Sequence, residues 1–281
     1  MASPDLKIDL KNRAFIVTGA SRGMGKAMAE ALLATNARVA PLSPDTAELN
    51  ATVAELAKAY GKDRVVALDA DISKAEDCKR SVNEAIAKFG GVDGLINDAA
   101  LGQPYLKPGI DDTTVNFWDA DPIRWSKMIQ VNVCGTFMMA NAITPHLIAR
   151  KWGRIVNITT SLGTIQRGGN TPYGPSKGAI EAMTIAWAKE LKGTGVTMNS
   201  LIPGGVTNTA FVPDAYRAQA KSMLEPDVMK TPIVWIMSDL SADITGARFV
   251  AKEWDAKLPM NEAAKKSIEA PVYLKPAQER G

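Results

Sequence analysis

The stretch Ala14-Phe15-Ile16-Val17-Thr18-Gly19-Ala20-Ser21-Arg22-Gly23-Met24-Gly25-Lys26-Ala27-Met28-Ala29-Glu30-Ala31 decides the fold. A β-branched and aromatic run enters a glycine-rich turn, and an alanine-rich helical pattern leaves it. Strand, turn and helix N-terminus in that order make an anion site. Backbone N–H groups and the helix dipole converge there, and glycine lets a pyrophosphate approach the chain. The spacing Gly19-x-x-x-Gly23-x-Gly25 is neither Gly-x-Gly-x-x-Gly nor a Walker A loop, which would need glycine at Ala20 and Ser or Thr at Ala27. Nucleotide hydrolysis is thereby disfavoured. The bland alternative is a glycine turn that only reverses the chain.

Working outward, short apolar runs alternate with helical patterns. Strands are expected at Ala14–Val17, Arg38–Leu42, Val65–Leu68, Gly94–Ile96, Arg154–Ile158, Thr197–Ile202 and Arg248–Ala251. Helices are expected at Gly25–Thr35, Ala47–Tyr60, Ala75–Phe89, Pro122–Arg150 and Tyr173–Lys192. Such alternation argues for an α/β fold, a parallel sheet covered by helices on both faces. No repeat or interior linker interrupts it, so one domain over residues 1–281 is expected, with a core near 10–251 and an extension at 252–281. The extension is charged and Pro-punctuated, and is expected either to be mobile or to lie on a neighbouring subunit. Gly102–Asp121 reads as a long loop. Pro41 falls in the second strand, where a missing N–H weakens a central ladder, so that strand is expected to end early or bulge.

Composition narrows the function. Charge is nearly balanced, 33 basic against 30 acidic residues, which implies no polyanionic partner such as nucleic acid. No apolar run approaches a membrane span, and Met1-Ala2-Ser3-Pro4-Asp5 lacks a signal-peptide core. Cys78 and Cys134 suggest neither a disulfide framework nor a metal cluster, so a soluble, cytoplasmic protein without a metal is expected. His146 is the sole histidine, which excludes His-Glu-x-x-His zinc hydrolysis.

Far downstream stands Tyr173-Gly174-Pro175-Ser176-Lys177. Residues four apart share a helix face, so an ammonium lies near a phenol and lowers its pKa from about 10. A helix beginning near Tyr173 pushes the same way. A tyrosine so tuned acts as general acid or base on an alcohol oxygen. Alone, Tyr-x-x-x-Lys is more often a packing tyrosine with an exposed lysine.

Together the motifs resemble the classical short-chain dehydrogenase/reductase family over roughly residues 10 to 251. The ordered set is Thr18-Gly19-x-x-x-Gly23-x-Gly25, Asp71-Ile72, Asn97-Asp98-Ala99-Ala100, Asn132-Val133, Tyr173-x-x-x-Lys177 and Pro203-Gly204. The resemblance implies a Rossmann-like, doubly wound sheet of about seven strands, a nicotinamide cofactor and a homo-oligomer, usually a tetramer. It makes Tyr173 the acid/base, and Lys177 the group that tunes it and holds the nicotinamide ribose. Asn132 becomes the helix-kink residue that positions a water in a proton relay. Asp71 and Ile72 become adenine contacts, although Asp71 alone could be a helix cap. Asn97 would steady the central strand. Ser21, Met24, Ala99, Pro203, Gly204 and Val206 complete the implied cofactor surface.

Three positions depart from the family pattern. The catalytic serine is expected thirteen residues before the tyrosine, which selects Thr160 here, with Ser161 one residue later. Either hydroxyl can donate to a substrate oxygen, and register slightly favours Thr160. Ala100 replaces the glycine that commonly ends its motif. Asn208 replaces a threonine that contacts the nicotinamide carboxamide, and Thr207 and Thr209 flank it. At the end of the second strand, where a carboxylate selects NAD(H), stands neutral Ser43. Arg22 suits a 2′-phosphate, so NADP(H) is favoured over NAD(H), although Asp45 lies close enough to substitute.

The expected activity is hydride transfer between NADP(H) and a small-molecule carbonyl or secondary alcohol. Rival readings on the same fold are a non-catalytic sensor or scaffold and a non-redox epimerase. Tyr105, Trp118, Phe211, Val212, Tyr216 and Met223 are expected near the substrate, with Lys107, Asp111, Asp112 and Arg217 as candidate polar contacts.

Overall fold

The computed structural model describes residues 8–107, 114–212, 217–218 and 222–270. Its centre is one eight-stranded sheet in the order β3-β2-β1-β4-β5-β6-β7-β8. The strands are β1 Ala14–Thr18, β2 Arg38–Ser43, β3 Leu68–Asp69, β4 Gly94–Asn97, β5 Gly153–Ile158, β6 Val196–Ile202, β7 Arg248–Val250 and β8 Ile268–Glu269. All neighbours pair in parallel except β7 and β8. The seven expected strands are all present. The eighth, two residues long, carries no legible period.

Continuous burial of β1, β4, β5 and β6 follows from helices on both sheet faces. Phe15 and Val17 pack with α1 (Gly23–Ala34) and the helix Lys230–Ile236, whereas Ala14 and Ile16 face α3 (Ala75–Phe89) and α6 (Thr136–Ala149). Between them in sequence lie α2 (Thr46–Tyr60), α4 (Gln103–Leu106) and α5 (Pro122–Ile129). The chain continues through α7 (Leu162–Ile165) and α8 (Tyr173–Glu190).

Pro41 neither ends β2 nor bulges it. Hydrogen-bonding groups alternate sides along a strand. Leu42 O accepts from Gly19 N on the β1 side, while Val39 O and Ser43 O accept from Val66 N and Ala70 N on the β3 side. Pro41 shares the parity of Val39 and Ser43, so its missing donor faces β3. That is where pairing breaks: β3 shrinks to Leu68–Asp69 plus an isolated bridge between Val39 and Val65.

Three other expectations change. The helix Pro122–Arg150 is interrupted by a π-helical turn, Gln130–Gly135. The loop Gly102–Asp121 contains α4 and a bridge from Val115 to Asn170, with residues 108–113 outside the described residues. The extension packs back through 270: Ala263 and Ala264 are buried, and β8 pairs with β7. Residues 271–281 lie outside the described ones. No helix among the described residues is long and apolar enough to cross a membrane.

Candidate active site

Strand order reverses between β1 and β4, and the crevice beyond the carboxyl ends of the strands is where such sheets take ligands. Here it is a cavity of about 700 Å³. Residues just past β1 through β6 line it, including Gly19, Ser43, Asp71, Asp98, Thr160 and Pro203.

At one end the wall is backbone. Gly19 has φ +69°, and a Cβ there would lie 2.8 Å from Ala99 Cα. A Cβ on Gly25 would lie 2.5 Å from Gly19 O. The two glycines thus press the first turn of α1, the glycine loop and the β4 loop together. Thr18 locks the arrangement: its hydroxyl accepts from Asp98 N and Ala99 N, both at 3.1 Å, and donates to Ile96 O. This cradle of close backbone and a helix N-terminus fits a dinucleotide pyrophosphate. Ser21, Arg22, Gly23 and Met24 line it.

The adenosine end holds more charge than the sequence suggested. Asp45 caps α2 by accepting from Glu48 N, and the Ser43 hydroxyl accepts from Asp45 N at 3.2 Å. Glu48, which the sequence reading missed, reaches Ser21 Oγ at 2.7 Å and Arg22 at 3.2 Å. Asp71 and Ile72 line the same end. Burial opposes the Asp71 charge, but the Ser73 hydroxyl and N–H and Lys127 overcome it and hold the carboxyl below its usual range.

At the other end the wall is side chains. Tyr173 is the first residue of α8, and Lys177, 3% exposed, follows one turn later. The Lys177 ammonium lies 5.8 Å from the Tyr173 ring centroid and donates to Ile158 O at 2.8 Å. The expected lowering of the tyrosine pKa does not occur. Removal from water pushes the phenol up, and the Asp98 carboxylate adds to the rise. Burial brings Lys177 down to about 8, against the pull of Asp98 and Glu181. Burial likewise raises Asp98 to about 7, with Lys177 opposing. The site therefore holds a protonated phenol beside a buried carboxyl and a buried amine, and burial disfavours the charge of each. Phe211 lies over Tyr173 with centroids 5.4 Å apart, and its ring occupies the space a Cβ on Gly102 would need.

The two candidate hydroxyls differ in their surroundings. Ser161 is exposed and caps α7, accepting from Thr164 N and meeting the Thr164 hydroxyl at 2.9 Å. Thr160 also lines the cavity, and its carbonyl is anchored by Arg248 at 2.8 Å. Behind it lies a buried network the sequence did not reveal. Arg248 pairs with Glu181 at 3.0 Å and with Glu269 of β8, and Glu181 accepts from Thr159 and Ser200. Glu181 stands one turn beyond Lys177, the spacing that could have signalled it.

Several expected residues act from behind the wall. Asn132 is fully buried in the π-turn. Its amide donates to Leu101 O at 3.0 Å and to Ser176 Oγ at 3.1 Å, and its oxygen accepts from Leu101 N. Asn97 donates to Asn157, joining β4 to β5. Asn208 points away from the cavity and donates to Glu225, while its neighbours Thr207 and Thr209 line it, as alternation along an extended segment requires. Pro203, Gly204, Val206, Tyr105 and Val212 also line the cavity, as do Gln103, Thr164 and Arg167, which the sequence reading did not name. Trp118 is 69% exposed and meets Phe117 edge to face outside the cavity. Lys107 and Met223 are not on the wall, and Arg217 lines a separate hollow. Asp111, Asp112 and Tyr216 lie outside the described residues.

The family model described as short chain dehydrogenase matches residues 13–220. Among curated proteins, the chain is 29% identical over 260 residues to 2-(S)-hydroxypropyl-CoM dehydrogenase 3 of Xanthobacter autotrophicus, covering 85% of this chain and 95% of that one. A short chain dehydrogenase of Pseudocercospora fijiensis is 32% identical over 84% of this chain and 74% of its own length. A solved 3-ketoacyl-(acyl-carrier-protein) reductase of Brucella melitensis, complexed with NADH, superposes with TM-score 0.74 at 25% identity, covering 85% of this chain and 96% of that chain.

Proposed function

The chain belongs to the short-chain dehydrogenase family, and on that premise we propose that it moves a hydride between NADP(H) and a carbonyl or secondary alcohol, with Tyr173 as general acid/base. The observation that carries this reading is the meeting of Tyr173, Lys177 and Thr160 with the glycine cradle on one cavity wall. Gly19, Ser21, Arg22, Gly23 and Met24 hold the pyrophosphate and adenosine phosphate, with Gly25 as packing support. Asp71 and Ile72 flank adenine. Ala99 and Lys177 hold the nicotinamide ribose, and Pro203, Gly204, Val206 and Thr207 flank the nicotinamide. When bound, the nicotinamide supplies or accepts the hydride.

The chain's own groups handle the proton and the oxygen. Thr160, on the cavity wall with its carbonyl fixed by Arg248, donates its hydroxyl to the substrate oxygen. Ser161 is committed to capping α7. In the reducing direction Tyr173 gives its proton to the oxygen as the carbon gains hydride, and the phenolate then takes a proton back from solvent water. A phenol held above its ordinary pKa carries its proton throughout the neutral range, though burial makes it a weaker acid than a free phenol. Asn132 holds Leu101 and α8 in register for the relay. In its setting, we take the chain to be a single catalytic domain over 1–281 that works as a cytoplasmic homo-oligomer, which light scattering tests.

A panel of ketones, aldehydes and secondary alcohols, followed by nicotinamide absorbance, tests the reading, with Tyr173→Phe as control. The variant is expected to lose about 10²–10⁴-fold in kcat while binding the dinucleotide normally. Binding without turnover across the panel would favour a sensor. Turnover indifferent to Tyr173→Phe would overturn the mechanism.

A further inference from the structure

We infer that Glu48 is a resident anion in the 2′-phosphate subsite, and that it blunts this protein's discrimination between NADP(H) and NAD(H). The inference rests on the dinucleotide reading above. It starts from a departure in local structure. Asp45-Thr46-Ala47-Glu48 has the pattern of a capping box, in which the N3 carboxylate reaches back to the N-cap N–H. Asp45 performs its half by accepting from Glu48 N at 3.1 Å. Glu48 does not reciprocate, because the Ser43 hydroxyl already takes Asp45 N at 3.2 Å.

The freed carboxylate crosses to the glycine turn. One oxygen accepts from Ser21 Oγ at 2.7 Å and the other meets Arg22 at 3.2 Å. A hydroxyl and a guanidinium converging on one anion are the donor set a phosphate monoester takes. Glu48, Ser21, Arg22, Ser43 and Asp45 all line the cavity. The carboxylate therefore stands where a 2′-phosphate would stand, held by the same donors.

Its hold is weak enough to exchange. The Arg22 side chain is 64% exposed and that of Glu48 33%, so the pair is a solvent-screened surface ion pair that contributes little. A 2′-phosphate has to turn Glu48 out to solvent, where its charge is welcome. A ribose 2′-hydroxyl does not, and can donate to Glu48 in place. Arg22 thus favours NADP(H), and Glu48 narrows its margin over NAD(H).

Calorimetry with adenosine 2′,5′-bisphosphate and with 5′-AMP tests this without nicotinamide or turnover. Wild type is expected to bind the two within about tenfold of each other. Glu48→Gln, which keeps the shape and removes the charge, is expected to tighten the bisphosphate by about tenfold and leave 5′-AMP unchanged or weaker. In an Arg22→Met background most of that gain disappears, because the phosphate loses its cation. Glu48→Ala should repeat the tightening, which guards against a hydrogen bond peculiar to glutamine. If both nucleotides bind and no Glu48 variant changes their ratio, the inference is overturned. If neither binds wild type, the dinucleotide reading itself fails.

Discussion

At the glycine-turn end of the cavity, the wall is main chain: Gly19 against Ala99, Gly25 against Gly19, and Thr18 bonded to two backbone N–H groups. At the Tyr173 end it is side chains: phenol, ammonium, carboxyl, hydroxyl and the Phe211 ring. Backbone can recognise only what every dinucleotide has, a pyrophosphate in a fixed place. Side chains can set proton affinity and shape. One end should therefore fail sterically and affect binding, and the other should fail electrostatically and affect chemistry. Substitutions at the two ends test whether that division holds.

The largest effect is expected at the side-chain end. Thr160→Ala removes a hydroxyl of the cavity wall that the proposed mechanism uses and should lower kcat by about 10²–10³-fold, as loss of an oxyanion donor does, with dinucleotide Kd unchanged. Ser161→Ala should cost far less, since its loss is a helix cap worth about 1 kcal/mol. Single-turnover rates of the two variants separate them. Equal losses would mean that the α7 cap and the chemistry are not separable.

At the backbone end, Gly25→Ala forces a Cβ to 2.5 Å from Gly19 O, where no side chain can rotate away. The turn must open at a cost of about 1–3 kcal/mol. Calorimetry should show dinucleotide binding weaker by about 10- to 100-fold, with a lower melting temperature. A variant that binds normally but turns over slowly would break the division. Phe211→Ala should do less: it uncovers Tyr173 and Gly102 without touching the cradle. A rise in substrate KM of about tenfold, at constant dinucleotide Kd, is expected from the lost aromatic surface.

The same division explains what could be read from the chain alone. The turn, the strand positions and Tyr173–Lys177 are local patterns, visible as period and spacing. Glu48, Asp98 and the Arg248–Glu181 network are meetings of residues from different segments. Arg248 and Glu181 are 67 apart in sequence, and Glu48 meets Ser21 across 27 residues. Spacing does not announce such pairs. Proximity in sequence also misled once. Lys177 was expected to lower the Tyr173 pKa, but the ammonium is spent on Ile158 O and the nearby charge that acts on the phenol is the Asp98 carboxylate. Asn208 fails for a simpler reason: in an extended segment, neighbours face opposite sides, so Thr207 and Thr209 take the cavity.

The smallest and most discriminating effect concerns that carboxylate. Asp98→Asn removes a negative charge that raises the Tyr173 pKa and also supports the Lys177 charge. Alcohol oxidation needs the phenolate, which exists above the phenol pKa. Its kcat/KM should therefore rise with pH, and the variant should move that rise to lower pH by about one unit. Lys177, losing its carboxylate partner, should lose its proton at lower pH than in the wild type. The variant keeps Asp98 N and its bond to Thr18, and its amide oxygen can still accept from Gly25 N as the carboxylate does, so dinucleotide affinity should hold. A profile that moves with unchanged binding places proton affinity wholly at the side-chain end. A change in dinucleotide Kd, with the profile fixed, would show that Asp98 belongs to the cradle and that the two ends share a residue.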